Sequence, residues 1–189
     1  MKDENEKKYG LAITVYGASA DGLDEVFHRA ARCVAVEAVR RHAAVITGGG
    51  TRGMMGTVND TVLEHGGTAI GIIPQFMVDK GWGHKSLTVT EVTDGMHSRK
   101  ALMASLSTGV IALPGGVGTM DELMEIITWR QLGLFDGNVV ILNVDGYWDD
   151  LLRMLATADR RGFMRKDMRT DIWHVTTDPV EAVRLATMR

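Results

Sequence analysis

One nine-residue run, Pro114-Gly115-Gly116-Val117-Gly118-Thr119-Met120-Asp121-Glu122, combines groups that hold an anion with groups that move a proton. Its glycines follow the short apolar run Thr108–Leu113 and lead into a helical pattern. Glycine lets the backbone approach a ligand closely. The start of a helix adds unpaired N–H groups and a partial positive charge, and phosphate is the natural occupant of such a place. Asp121 and Glu122 fall in the expected first turn of that helix. Acids there gain about 0.3–1 kcal/mol from the helix dipole whatever they do besides, so Asp121 by itself carries no chemical meaning. Glu122 is followed by Leu123 and Ile126, with Glu125 and Trp129 near it. That spacing aims Glu122 back over the glycine turn.

A second run, Met96-His97-Ser98-Arg99-Lys100, opens the preceding helix. Arg99 and Lys100 oppose the dipole of a helix start and so need another reason to be there. An anionic ligand supplies one, since arginine presents a planar fork of donors; a solvated basic face is the other reading of the same spacing. Two further glycine turns, Gly17–Gly22 and Gly48–Gly56, follow apolar runs. The first, after the first strand, lacks the GxGxxG dinucleotide fingerprint, neither is a Walker A sequence, and each alone is weak evidence.

The elements that must position these groups alternate along the chain. Short apolar runs suited to strands buried on both faces are expected at residues 11–16, 43–47, 68–73, 108–113 and 138–144. A less apolar one at 87–92 suits a place nearer an edge, and a short one lies at 172–175. Helices are expected over residues 23–41, 51–64, 96–106, from 117 to near 132, 148–161 and 179–187. Residues 75–86 have no clean period and contain Gly81-Trp82-Gly83, which reads as a loop with room for a helical turn. This alternation predicts an α/β fold: a Rossmann-like, doubly wound parallel sheet with right-handed crossovers and helices on both faces. Ligands of such sheets bind outside the carboxyl ends of the strands, where all three glycine turns belong.

The 189 residues match about one domain, expected over residues 11–189 behind a solvated tail at 1–10. With 45% apolar and 24% charged residues the chain can build a core. The net charge of −3 argues against a nucleic-acid partner, which needs a basic face. No run approaches the roughly 18 apolar residues of a membrane span, and the opening residues lack the apolar segment of a signal peptide. A lone cysteine, Cys33, permits no intrachain disulfide and fits a reducing cytoplasm. The six scattered histidines show no metal-ligand spacing, so no metal is expected; His97 reads as a packed or capping residue. Met54 with Met55, and Met120 with Met124, suit core packing better than contact with a ligand.

Gly48-Gly49-Gly50-Thr51-Arg52-Gly53-Met54-Met55-Gly56, the 96–100 run and the 114–122 run together resemble the LOG (Lonely Guy) family of cytokinin riboside 5′-monophosphate phosphoribohydrolases, whose members often carry a lysine decarboxylase label. The resemblance extends from about Ile13 to Met164 and includes Ile126-Ile127-Thr128-Trp129, Gln131-Leu132-Gly133 and Leu142-Asn143-Val144-Asp145-Gly146-Tyr147. It implies hydrolysis of the N-glycosidic bond of adenosine 5′-monophosphates, N6-modified ones among them, to free base and ribose 5-phosphate, with no cofactor. It implies Arg99 and Glu122 as catalytic residues. Nucleotide contacts fall on Ser19, Gly49, Gly50, Met96, Arg99, Lys100, Pro114, Gly115, Gly116, Val117, Gly118, Thr119, Met120, Asp121, Glu122 and Thr128. It also implies a homodimer, and Trp129, Leu132, Leu134 and Phe135 are apolar enough to form its contact.

The sequence departs from the family at Gly17-Ala18-Ser19-Ala20, where many members read Cys-Gly-Ser-Ser, at Ser98, and in Lys80-Gly81-Trp82-Gly83-His84. In the expected mechanism Glu122 stabilises positive charge on the ribose and takes a proton from water, while Arg99 keeps Glu122 ionised. A decarboxylase would need pyridoxal phosphate on a lysine, for which Lys100 is the one placed candidate. The alternative reading is a non-catalytic nucleotide or molybdenum-cofactor carrier of the same superfamily.

Overall fold

The computed structural model describes residues 9–164 and 171–188; of the tail expected over residues 1–10, the first eight lie outside them. In chain order the elements are β1 (Ala12–Tyr16), α1 (Glu25–Arg40), β2 (Ala44–Thr47), α2 (Gly53–Glu64), β3 (Ala69–Pro74), α3 (Gln75–Asp79), β4 (Val89–Thr93) and α4 (Met96–Leu106). They continue with β5 (Gly109–Ala112), α5 (Val117–Gln131), β6 (Asn138–Leu142), a 3₁₀ turn (Val144–Gly146), α6 (Asp149–Arg160), β7 (His174–Thr176) and α7 (Pro179–Thr187).

The strands form one seven-stranded sheet in the order β4-β3-β2-β1-β5-β6-β7, and every neighbouring pair is parallel. The chain runs outward from β1 to β4, then crosses back through α4 to β5 on the other side of β1. The strand order therefore reverses between β1 and β5, and the crevice of a doubly wound sheet opens there.

Strand composition explains the layering. Successive side chains of a strand point to opposite faces. Ile13 and Val15 of β1 pack into one core with α1, α2 and α7. Ala12 and Tyr16 pack into the other with α4, α5 and α6. Strands covered on both faces read as continuous apolar runs, which is why 11–16, 43–47 and 108–113 were legible. β4, with its alternating partly exposed residues, is an edge strand as its weaker run suggests.

Residues 75–79 of the aperiodic stretch form the short helix α3, the helical turn that stretch allows. Two expectations need correction. The last strands are shorter and shifted: β6 ends at Leu142, where Asn143 turns to accept from Trp148 N–H and donate to Asp149, and β7 starts at His174. The helix carrying the carboxylates begins at Val117 with no acid in its first turn, so Asp121 and Glu122 lie one turn further in.

Candidate active site

Three turns converge on the crevice, and their glycines make the approach possible. Gly53 has φ 58°, and a Cβ there would lie 2.6 Å from the carbonyl oxygens of both Ala18 and Ala20. The Gly17–Gly22 turn can therefore pack directly on the start of α2, with Met55 N–H donating to Ala18 O at 3.2 Å. On its other side Ala18 N–H donates to Pro114 O at 3.1 Å. The Gly48–Gly50 turn is braced from α2: buried Asn59 accepts from Thr47 Oγ1 and donates to Gly50 O at 3.0 Å.

Between the turns lies a cleft of about 650 Å³. At one side it is lined by Gly116, Val117, Gly118 and Thr119, the first turn of α5. The first backbone N–H groups of a helix lack partners within it, so this wall offers donors with no side-chain cap. Tyr147 supports the turn from behind, donating its hydroxyl to Gly115 O at 2.6 Å.

Arg99 and Glu122 meet at the cleft. Arg99 Nη1 lies 3.1 Å from Glu122 Oε1, and both side chains are almost fully buried. Arg99 Nε also donates to Ile72 O at 2.9 Å at the end of β3. Its guanidinium occupies the space that a side chain at Gly48 would fill. A buried arginine held by two partners is fixed in place, which a catalytic constellation needs.

The electrostatics differ from the sequence expectation. Burial pushes Glu122 up to about 6; Arg99 pulls the other way, and Asp121 adds to the rise. Arg99 therefore does not hold Glu122 in the ordinary carboxylate range, because desolvation of the charged form outweighs one guanidinium. Tyr16, buried at the end of β1, is also raised, first by burial and then by the carboxylates of Glu122 and Glu125, so the phenol beside this pair stays protonated.

Lys100 faces the other way. Its ammonium binds Asp121 at 2.9 Å and Glu125 at 3.2 Å, and it does not line the cleft. Burial works against the charge, but the hydrogen bonds Lys100 donates to Asp121 and Glu125 outweigh it and leave the Lys100 pKa above its ordinary value. Lys100 is thus a strap between α4 and α5 that fixes Arg99 against Glu122. Asp121 is explained by that strap and not by the helix dipole.

Of the residues singled out from sequence, the cleft wall contains Ser19, Gly50, Met96, Arg99, Gly116, Val117, Gly118, Thr119 and Glu122. It does not contain Gly49, Lys100, Pro114, Gly115, Met120, Asp121 or Thr128. Pro114 and Gly115 shape the wall through their carbonyl groups. Gly49 takes φ 72° to form its turn. Thr128 is exposed and donates to Met124 O within its own helix. His97 is exposed, while Ser98 closes the start of α4 by accepting from Gly95 N–H at 3.2 Å. Met54 is core, but Met55 lines the cleft and accepts from Gly50 N–H through its sulfur. Trp82 lines it too, as expected of the divergent 80–84 loop, and Arg52 and Met77 line it without having been singled out from the sequence.

A family model described as "Possible lysine decarboxylase" matches residues 55–186. The cytokinin riboside 5′-monophosphate phosphoribohydrolase LOG5 of Arabidopsis thaliana is 44% identical over 158 residues, covering 83% of this chain and 69% of its own. The protein named Probable cytokinin riboside 5′-monophosphate phosphoribohydrolase LOGL1 of Oryza sativa subsp. japonica is 42% identical over 157 residues, covering 83% and 70%. The chain belongs to the LOG family. Among solved structures, the molybdenum cofactor carrier protein of Chlamydomonas reinhardtii matches with a TM-score of 0.71 over 92% of this chain and 94% of its own, at 21% identity. That match shows the LOG fold in a second kind of protein and carries nothing on activity. No helix among the described residues is long and apolar enough to cross a membrane.

Proposed function

We propose that this LOG-family chain hydrolyses the N-glycosidic bond of adenosine 5′-monophosphates, N6-modified ones included, to free base and ribose 5-phosphate. The observation that carries the proposal is the buried Arg99–Glu122 pair beside the uncapped start of α5. The N–H groups of Val117, Gly118 and Thr119 hold the 5′-phosphate, helped by the dipole of α5. Anchoring that end places the ribose over Glu122, so remote binding energy orients the reacting bond.

As C1′–N9 breaks, positive charge grows on the ribose, and the Glu122 carboxylate stabilises it. Glu122 takes a proton from the attacking water while the oxygen of that water bonds to C1′. The proton count closes when the departing base takes a proton from solvent and Glu122 returns the one it took from water to solvent. Arg99 aims the Glu122 carboxylate and offsets part of the pKa rise that burial causes. A covalent pyridoxal step has no support here, since Lys100 is engaged by two carboxylates away from the cleft.

The pH dependence follows. Glu122 must be ionised to act, and its pKa lies at about 6. Activity is therefore full above about pH 7 and falls roughly tenfold per unit below about pH 6, a limb set by protonation of this one group. A rate profile of kcat/KM between pH 4.5 and 8 checks it; a flat profile across pH 6 removes Glu122 from the role.

The test of substrate class is hydrolysis of AMP, prenylated AMP and other nucleoside monophosphates, with adenosine as the control lacking phosphate. AMP and its N6-modified forms release base, and adenosine is slower by about 100-fold or more in kcat/KM, because it cannot use the α5 anchor. Equal rates on adenosine overturn the phosphate assignment.

The reading extends to a homodimer in the cytoplasm. Leu132 and Leu134, exposed at the end of α5, support a contact there; Phe135 is core, and Trp129 packs against it, so neither belongs to that contact. Light scattering at twice the chain mass supports the dimer, and a monomer mass removes it.

A further inference from the structure

The cleft is chemically divided. Against the donor wall of α5 stands an apolar wall built from Met55, Ile73, Met77 and Trp82. Trp82 is 51% exposed and sits between two glycines. The loop that carries it is tied down by the residues that follow. Gly83 forms an antiparallel bridge with Gly50, and His84 N–H donates to Gly49 O at 2.8 Å. The His84 ring is clamped between elements: Ser86 N–H donates to Nδ1 at 3.2 Å, and Nε2 lies 2.8 Å from Asp60 Oδ1 on α2. An accepting Nδ1 assigns the proton to Nε2, which donates to Asp60. The Lys80 ammonium lies 4.8 Å from the Trp82 ring centroid and does not line the cleft. One face of the indole is thereby engaged by a cation.

We propose that Trp82 is the specificity-determining residue that stacks on the base of the bound nucleotide, with His84 and Asp60 positioning it. The inference rests on the hydrolase reading for the identity of the ligand. With the phosphate on α5 and the ribose at Glu122, the base is directed to the apolar wall. An indole on an anchored loop there recognises the flat π-face that bases share, and leaves the atoms on the rim of the base to other contacts. Stacking of this kind favours adenine nucleotides over ligands with no aromatic base.

The test reads binding, so it does not depend on turnover. Glu122→Gln protein is titrated with AMP and with ribose 5-phosphate, following tryptophan emission and calorimetric affinity. Trp148 is buried, and Trp129 and Trp173 pack against the core, so Trp82 is the indole placed to respond. AMP quenches emission and ribose 5-phosphate does not. Trp82→Phe in the same background loses the quench but keeps AMP affinity within about threefold. Trp82→Ala weakens AMP about tenfold or more, the loss expected for a removed base stack, and leaves ribose 5-phosphate within about twofold. His84→Ala gives a smaller loss for AMP alone. A quench that persists in Trp82→Phe, AMP affinity unchanged in Trp82→Ala, or equal losses for both ligands overturns the proposal. Failure of the hydrolase reading shows separately, as wild-type protein that binds AMP but returns it intact; absence of AMP binding overturns both.

Discussion

Glu122→Gln lowers kcat on AMP by about a thousandfold or more and leaves the AMP dissociation constant within a few-fold. The size follows from the two tasks given to one carboxylate, proton abstraction and stabilisation of charge on the ribose, each worth about 10²–10⁴ in rate. Binding survives because phosphate and base are held elsewhere, by α5 and by the apolar wall. Glutamine keeps the shape and the contact with Arg99 while removing the charge. Steady-state kinetics paired with calorimetry separates the two effects. A variant that turns over at near the wild-type rate removes Glu122 from the chemistry. One that loses binding and turnover together makes it a structural residue.

Gly48→Ala is the second large effect, and it arises at a residue that touches no reacting atom. The added methyl group falls on the Arg99 guanidinium. An arginine on the surface would swing aside, but this one is buried and held by Ile72 O and Glu122. Either Gly48 and its turn shift or Arg99 leaves Glu122, and both spoil the site. A fall of about 100-fold in kcat/KM is expected, consistent with the cost of a misplacement near 1 Å. The signature is in the pH profile. Arg99 lowers the Glu122 pKa against its burial, so its displacement moves the acidic limb above pH 6. Loss of activity with the limb unmoved would point to general damage and not to the pair. Thermal unfolding near the wild-type temperature completes the check.

What the sequence disclosed depended on how local each cause was. The 114–122 run was legible because its chemistry is contiguous: an apolar strand, a glycine turn, a helix start and a carboxylate just inside. Arg99 and Lys100 were legible as oddities, two cations at the wrong end of a helix, and the family resemblance paired Arg99 with Glu122. Spacing along one helix did not show that Lys100 turns away to Asp121 and Glu125. The Glu122 pKa was misjudged for a related reason. A neighbouring arginine is visible in a motif, whereas desolvation is set by everything packed around the group. Phe135 looked like an interface residue because its helix ends nearby, yet the chain folds back and buries it. The base end of the cleft was the least legible part. The loop that carries Trp82 is held by the Gly83 bridge to Gly50 and by His84 reaching Asp60, contacts between residues 24 to 33 positions apart that no periodic pattern reveals.

The most direct measurement incubates the wild-type protein with AMP at pH 7.5 and resolves the products by chromatography. The account predicts adenine and ribose 5-phosphate in equal amounts, rising together in time. Adenosine with inorganic phosphate, or AMP recovered unchanged, would contradict it.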